Sequence, residues 1–292
     1  MKHIIIYYFS GTGNTKYVAD HLKNALSKSV NPVDLISIED IKTPISSSQI
    51  ENADIVGLCF PVYAFSAPAI IKQFISRLPQ QTDKAMFHIK TAAGLRGLTQ
   101  YASSGISRTL KKKGYTLSYD RTVTMGSNWF YCYDDRLVKQ LALSAQQKVQ
   151  KIAEDITKGV SRVQNSNFFQ RLASGFVSYG EHHMGARQFG KSLRANDNCD
   201  GCKLCQTNCP QENIQMEDGK PVFGADCLWC MRCIYACPKQ AIYSKQMQFT
   251  ILKDGYSLNK VMMNDQISAD FVDENTKGEY APFYAYISDD HR

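Results

Sequence analysis

The chain has 292 residues, of which 43% are hydrophobic and 21% charged, with a net charge of +7 and ten cysteines. These proportions fit a folded chain long enough for two domains and exclude collagen-like, low-complexity and disordered classes. Eight cysteines fall between Cys199 and Cys237, whereas a secreted disulfide scaffold would be short and cysteine-rich throughout.

The N-terminus has no signal-peptide pattern of charged region, apolar core and small-residue cleavage site. The longest uncharged run, Ile55 to Ile71, is broken by Pro61 and Pro68 and falls short of the ~20 apolar residues of a membrane span. A reducing, cytoplasmic setting without a membrane span is expected.

Residues 1–160 alternate strand-like and helix-like patterns, as βα units do when they build a helix-covered parallel sheet. Lys2–Phe9 is an almost unbroken apolar run, the mark of a strand buried on both faces. Four more strands are predicted at Val33–Ile38, Ala53–Phe60, Ala85–Thr91 and Tyr115–Met125. From Asp134 to about Arg162, Leu137, Leu141, Ala145, Val149, Ile152, Ile156 and Val160 recur at helical spacing, which predicts a closing helix packed on the sheet.

Between the first strand and the first helix stands Ser10-Gly11-Thr12-Gly13-Asn14-Thr15. Backbone N–H groups and a helix dipole converge there, which makes an anion site. The spacing is neither that of a nucleoside-triphosphate P-loop nor the G-x-G-x-x-G dinucleotide fingerprint. Hydroxyls of Ser10, Thr12 and Thr15, with the Asn14 amide, suit the oxygens of a terminal phosphate without a cation; a capped helix start would also use Ser and Asn.

Ile6 to Thr15, with Ala19 and Leu22, resembles the FMN-phosphate signature of flavodoxins. The resemblance implies strand order 2-1-3-4-5, with FMN at the switch between strands 1 and 3. It assigns the phosphate to Ser10, Gly11, Thr12, Gly13, Asn14 and Thr15. A second flavin loop then follows strand 3 at Pro61, Val62, Tyr63, Ala64 and Phe65, with Tyr63 and Phe65 as candidates to stack on the ring. A third follows strand 4 at Thr91, Ala92, Ala93 and Gly94. That loop has no aromatic residue, so one ring face is expected to be open or covered by the other domain.

Residues 163–196 lack a firm period and read as a linker. The cysteine window, residues 197–245, contains an internal repeat offset by 28 positions: Cys199-x2-Cys202-x2-Cys205-x3-Cys209-Pro210 returns as Cys227-x2-Cys230-x2-Cys233-x3-Cys237-Pro238. A pair of zinc sites also uses C-x2-C units, but would leave the doubled x2-x2-x3-Pro pattern unexplained. The repeat resembles bacterial two-[4Fe–4S] ferredoxins, in which the fourth cysteine of each run serves the other cluster. That resemblance assigns Cys199, Cys202, Cys205 and Cys237 to one cluster and Cys227, Cys230, Cys233 and Cys209 to the other. Ile214 and Ile242 are expected to cover the clusters. Cys59 and Cys132 stand outside the pattern and are expected to be buried, inert thiols.

Residues 246–292 form an acidic extension with four basic and eight acidic residues. Its start, Gln248–Tyr256, is β-rich in composition and is expected to dock on one of the two domains. The expected architecture is thus an α/β, flavodoxin-like, doubly wound parallel five-stranded sheet over residues 1–162, followed by a small α+β two-cluster ferredoxin domain.

Together the two motifs resemble fused flavodoxin–ferredoxin proteins of anaerobic bacteria and archaea. That family's M-P-x-N-Y segment appears here as Met125-Gly126-Ser127-Asn128-Trp129. The resemblance implies low-potential electron transfer between two [4Fe–4S] clusters and FMN, with a redox partner protein, either a ferredoxin or an oxidoreductase. The alternative is an FMN-dependent reductase of a small organic substrate, for which His88, His182 and His183 are the candidate acids or bases. Lys111-Lys112-Lys113 reads as a solvated helix end rather than a nucleic-acid track. The basic excess of residues 1–160 is expected to face the chain's own acidic half.

Overall fold

A computed structural model describes residues 2–95, 98–163, 179–180 and 184–289. His182, His183 and most of the 163–196 linker lie outside the described residues. Five parallel strands, β1 (Ile4–Tyr8), β2 (Val33–Ser37), β3 (Ile55–Pro61), β4 (Lys84–Ala92) and β5 (Tyr115–Thr124), lie in the order β2-β1-β3-β4-β5. This is the order expected from the sequence.

Helices α1 (Asn14–Leu26) and α5 (Asp135–Thr157) cover one face. On the other face lie α2 (Ser47–Glu51), α3 (Ala69–Arg77) and α4 (Ser104–Lys112). Ile4, Ile6, Cys59, Phe87 and Ile89 point into the first layer, while Ile5, Tyr7, Leu58 and Phe60 point into the second. That alternation explains why β1 and β3 read as unbroken apolar runs. At Gly57 the ring of Phe87 occupies the place where a Cβ would stand. Among the described residues no helix is long and apolar enough to cross a membrane.

His88 lies fully buried in β4, edge-on to Phe60, and neither ring nitrogen has a hydrogen-bond partner. It is a core residue. Burial, reinforced by the nearby Lys90 ammonium, holds its pKa down at about 3. The unfolded chain binds that proton below about 6.5, so the neutral ring's contribution is fully present above pH 6.5 and is lost as pH falls toward 3. We expect stability to fall by ~1.4 kcal/mol per pH unit across that window from this one group. Urea unfolding from pH 7 to pH 4 should show this component in the wild type and its absence in His88→Leu; equal slopes would refute it.

The cysteine-rich unit is built from two antiparallel pairs, β6 (Leu193–Ala195) with β9 (Ile242–Ser244) and β7 (Ile214–Glu217) with β8 (Lys220–Phe223). Two single-turn helices, Leu204–Thr207 and Arg232–Tyr235, sit between them. The sequence repeat is also a backbone repeat. Left-handed residues recur 28 positions apart, at Gly201 and Trp229, at Lys203 and Met231, and at Glu212 and Gln240, with φ between 48° and 72°.

The acidic extension docks on the five-stranded domain. Gln248–Thr250 forms a 3-10 turn rather than a strand. The Gln248 side chain accepts the Ser244 N–H and the Ser244 hydroxyl accepts the Met247 N–H, so local side chains take the donors that a sheet ladder would need. Leu258 and Val261 of the helix Leu258–Met263 then join the α1/α5 core. The helix Ala281–Ile287 sets Phe283 and Tyr286 against Leu137 and Leu141 of α5. The Thr124 N–H donates to the Tyr286 hydroxyl at 2.9 Å, and the Lys148 ammonium lies 4.3 Å from the centre of the Tyr286 ring.

Candidate functional site

The strands are parallel, so the loops that follow β1, β3, β4 and β5 all emerge at one edge of the sheet. They enclose one cavity. Ser10, Gly11, Thr12, Asn14 and Thr15 line it, followed by Pro61, Val62, Tyr63 and Ala64, then Thr91, Ala92 and Ala93, and finally Gly126 to Trp129. Of the residues singled out in the sequence, Gly13, Phe65 and Gly94 lie outside this wall.

The glycine-rich turn is fixed from several sides. Gly13 has φ 103° and caps α1, and its N–H donates to the Ser10 hydroxyl at 3.2 Å. The Thr15 and Thr91 hydroxyls bond at 2.7 Å, which ties the first loop to the third. Asn14 donates to the Gly126 carbonyl at 2.9 Å and accepts from the Tyr256 hydroxyl at 2.6 Å. Asn128 donates to the Thr12 hydroxyl. At Gly11 a Cβ would collide with the Tyr63 hydroxyl and lie 2.8 Å from the Cys230 carbonyl, so only glycine lets these three loops meet.

The second loop turns back on itself through reciprocal backbone bonds between Tyr63 and Ser66 of 3.0 and 2.9 Å. Its central residues, Ala64 and Phe65, have φ 41° and 62°. Left-handed non-glycine residues of this kind are held by their surroundings and concentrate at functional loops.

The cysteine-rich unit packs directly against this edge. Arg232 uses all five of its N–H donors: two on the Glu39 carboxylate at 2.5 and 2.7 Å, one each on the Ser10, Gly11 and Asn208 carbonyls at 2.5, 3.0 and 3.1 Å. This tie reverses the expected polarity, because the cation comes from the cysteine-rich unit and the carboxylate from the sheet domain. The exposed Lys42–Glu212 contact at 3.8 Å runs in the expected sense. The Tyr235 hydroxyl donates to the Asn128 carbonyl at 3.0 Å and accepts the Leu252 N–H at the same distance. Lys113, in the basic run at the end of α4, donates to the Ser76 and Leu78 carbonyls.

Two further cavities sort the eight cysteines. Cys199, Cys202, Cys205 and Cys237 line one, together with Ile242, and Cys209, Cys227, Cys230 and Cys233 line the other, together with Ile214. All eight are free thiols. The Cys209, Cys227 and Cys237 sulfurs each accept a backbone N–H at 3.3–3.4 Å. Burial, and then the neighbouring cysteines, push the Cys233 thiol well up. Crowding of this kind opposes ionisation of all four thiols unless a cationic group sits among them.

Among the described residues no three His, Cys, Asp or Glu side chains are arranged to hold a single metal ion. A mononuclear tetrahedral zinc draws its sulfurs to roughly 3.8 Å from one another; a cubane takes one thiolate on each of four irons and needs them spread around a cavity. The eight cysteines fall into two groups of four, the number of thiolates that one cubane takes.

Cys59 is buried, and burial pushes its thiol up. Cys132 is exposed, against expectation. It lies in an aromatic loop whose tyrosines Tyr131 and Tyr133 hydrogen-bond to Tyr280 and to the Ala93 carbonyl, and its thiol donates to the Tyr133 carbonyl at 3.4 Å. Partial burial, with Asp135, Asp254 and Asp134 near it, raises its pKa.

Residues 5–121 match a family model described as a flavodoxin domain. Among solved structures the chain is similar to a flavodoxin from the domain Archaea, at 16% identity over 53% of this chain and 99% of that one, with a TM-score of 0.36. It is also similar to the flavodoxin of Streptococcus pneumonia TIGR4, at 15% identity over 55% and 100%, TM-score 0.40. A third is general stress protein 14 of Treponema denticola in complex with FMN, at 14% identity over 54% and 97%, TM-score 0.39. No curated protein matches the chain.

Proposed function

We propose that this chain, whose N-terminal part is a flavodoxin-like domain, carries electrons between two [4Fe–4S] clusters in its cysteine-rich unit and an FMN at the edge of its sheet. The observation that carries this reading is the sorting of eight cysteines into two cavities, each lined by the four residues of one crossed ligand set. A crossed pairing is what the two-cluster pattern predicts.

When bound, the clusters supply one-electron transfers and the flavin accepts up to two electrons with two protons from water. A one-electron donor protein is oxidised in the process. The chain's own residues do the holding. Backbone N–H groups of the Ser10–Asn14 turn and the N-terminus of α1 suit a phosphate. Arg232 draws the Ser10 and Gly11 carbonyls to its own side; the N–H across each trans peptide points the opposite way. Thr91, Ala92 and Ala93 keep one side of the cavity low enough for a flat ring, and Tyr63 with Trp129 supplies aromatic wall.

The test is anaerobic purification of the full chain, with iron, sulfide and flavin quantified. About eight irons and one FMN per chain are expected, with Cys202→Ser losing about half the iron. Zinc in place of iron, or no flavin uptake, would sink the proposal.

A further inference from the structure

Trp229 lies between two cysteines of one ligand set, Cys227 and Cys230, and also lines the cavity at the edge of the flavodoxin-like sheet. Its counterpart in the repeat is Gly201. Both residues are left-handed, with φ 72° at the glycine and 57° at the tryptophan. A bulky side chain in this region is an outlier that persists only where its surroundings require it.

Three contacts hold it there. The indole stacks on Phe189 at 5.1 Å, meets Trp129 edge-on at 5.3 Å, and covers Gly185, where a Cβ would lie 2.7 Å from the ring. Its N–H is buried and has no hydrogen-bond partner among protein atoms, a state that calls for an acceptor from outside the chain. The neighbouring Cys230 is buried against the glycine-rich turn, whereas Cys202 of the other set is exposed.

Building on the proposed function, we infer that Trp229 is a flavin-contacting residue supplied by a cluster loop. It provides the aromatic wall that the loop after β4 lacks and gives its N–H to an acceptor on the bound flavin. The set of Cys209, Cys227, Cys230 and Cys233 is then the flavin-side set, and that of Cys199, Cys202, Cys205 and Cys237 faces outward. The flavin pocket is complete only when the cysteine-rich unit is folded onto the sheet domain.

The test titrates FMN into the full, iron-loaded, flavin-depleted chain and follows quenching of flavin fluorescence. Trp229→Ala should weaken FMN at least tenfold and Trp229→Phe, which keeps a ring and loses the N–H, about threefold, with iron content unchanged in both. Cys233→Ser should weaken FMN several-fold more than Cys202→Ser does. Wild-type affinity in Trp229→Ala, or equal effects of the two cysteine variants, would overturn the inference alone. A wild-type chain that takes up neither iron nor flavin would overturn the proposed function as well.

Discussion

Arg232→Ala should lower the unfolding free energy by about 3 kcal/mol and weaken FMN binding at least tenfold. Breaking a buried ion pair by removing one partner costs ~3–5 kcal/mol, and Glu39, about a fifth exposed, brings the value to the lower end. Three carbonyls also lose their donor, two of them in the turn proposed to hold the phosphate. Without Arg232 those peptides are free to rotate, and their N–H groups no longer share one direction. Arg232→Lys keeps the charge but offers at most three donors and no planar fork, so it should recover less than half of either effect. Urea unfolding and FMN titration measure the two quantities separately. A stability loss under 1 kcal/mol with normal FMN affinity would mean that the turn holds its own shape.

The second large effect lies beneath the sheet. Lys90 and Asp120 are both buried, with the ammonium 2.7 Å from the carboxylate and 2.5 Å from the Gln100 carbonyl. Burial pushes the lysine down and the aspartate up, and each partner opposes the other's shift. Lys90→Met leaves the carboxylate buried without a cation, and ~3–5 kcal/mol of stability should be lost. Replacing both, Lys90→Met with Asp120→Leu, should restore most of it, because paired buried charges often break even against apolar residues. A double-mutant cycle by urea unfolding decides the matter. Additive single effects would show that the pair is not coupled. Lys90 directly precedes Thr91, so the single variant should also loosen the Thr15–Thr91 bond at the cavity.

Much of this fold was legible in sequence because its central strands are buried on both faces. Ile4, Ile5 and Ile6 needed no alternation to be read, and all five strands fall within two residues of their expected ends. The spacing of Leu137, Leu141, Ala145 and Val149 announced α5 in the same way. The eight cysteines line two cavities, four to each.

What stayed hidden are contacts between residues far apart along the chain. Arg232 reaches Gly11 across 221 residues and Tyr256 reaches Asn14 across 242, and no local period signals either. Trp229 left one clue, a tryptophan where the first repeat has glycine. The regional charge balance pointed the wrong way at the domain contact, since totals over a hundred residues say nothing of one arginine and one glutamate. Composition misled at Gln248–Tyr256, where side chains of Ser244 and Gln248 capture the backbone donors first.

The Asn14–Tyr256 bond also sets a clock. A ribosome adds roughly 5–20 residues per second, so Tyr256 leaves it about 5–20 s after the end of α5. During that interval the sheet can form, but Asn14 has no tyrosine to hold it and the edge of the cavity lacks Trp229 and Arg232. The cysteine-rich segment is synthesised within the same interval, before Tyr256 arrives. A residue made 242 positions later thus completes the site that the first residues of the chain begin.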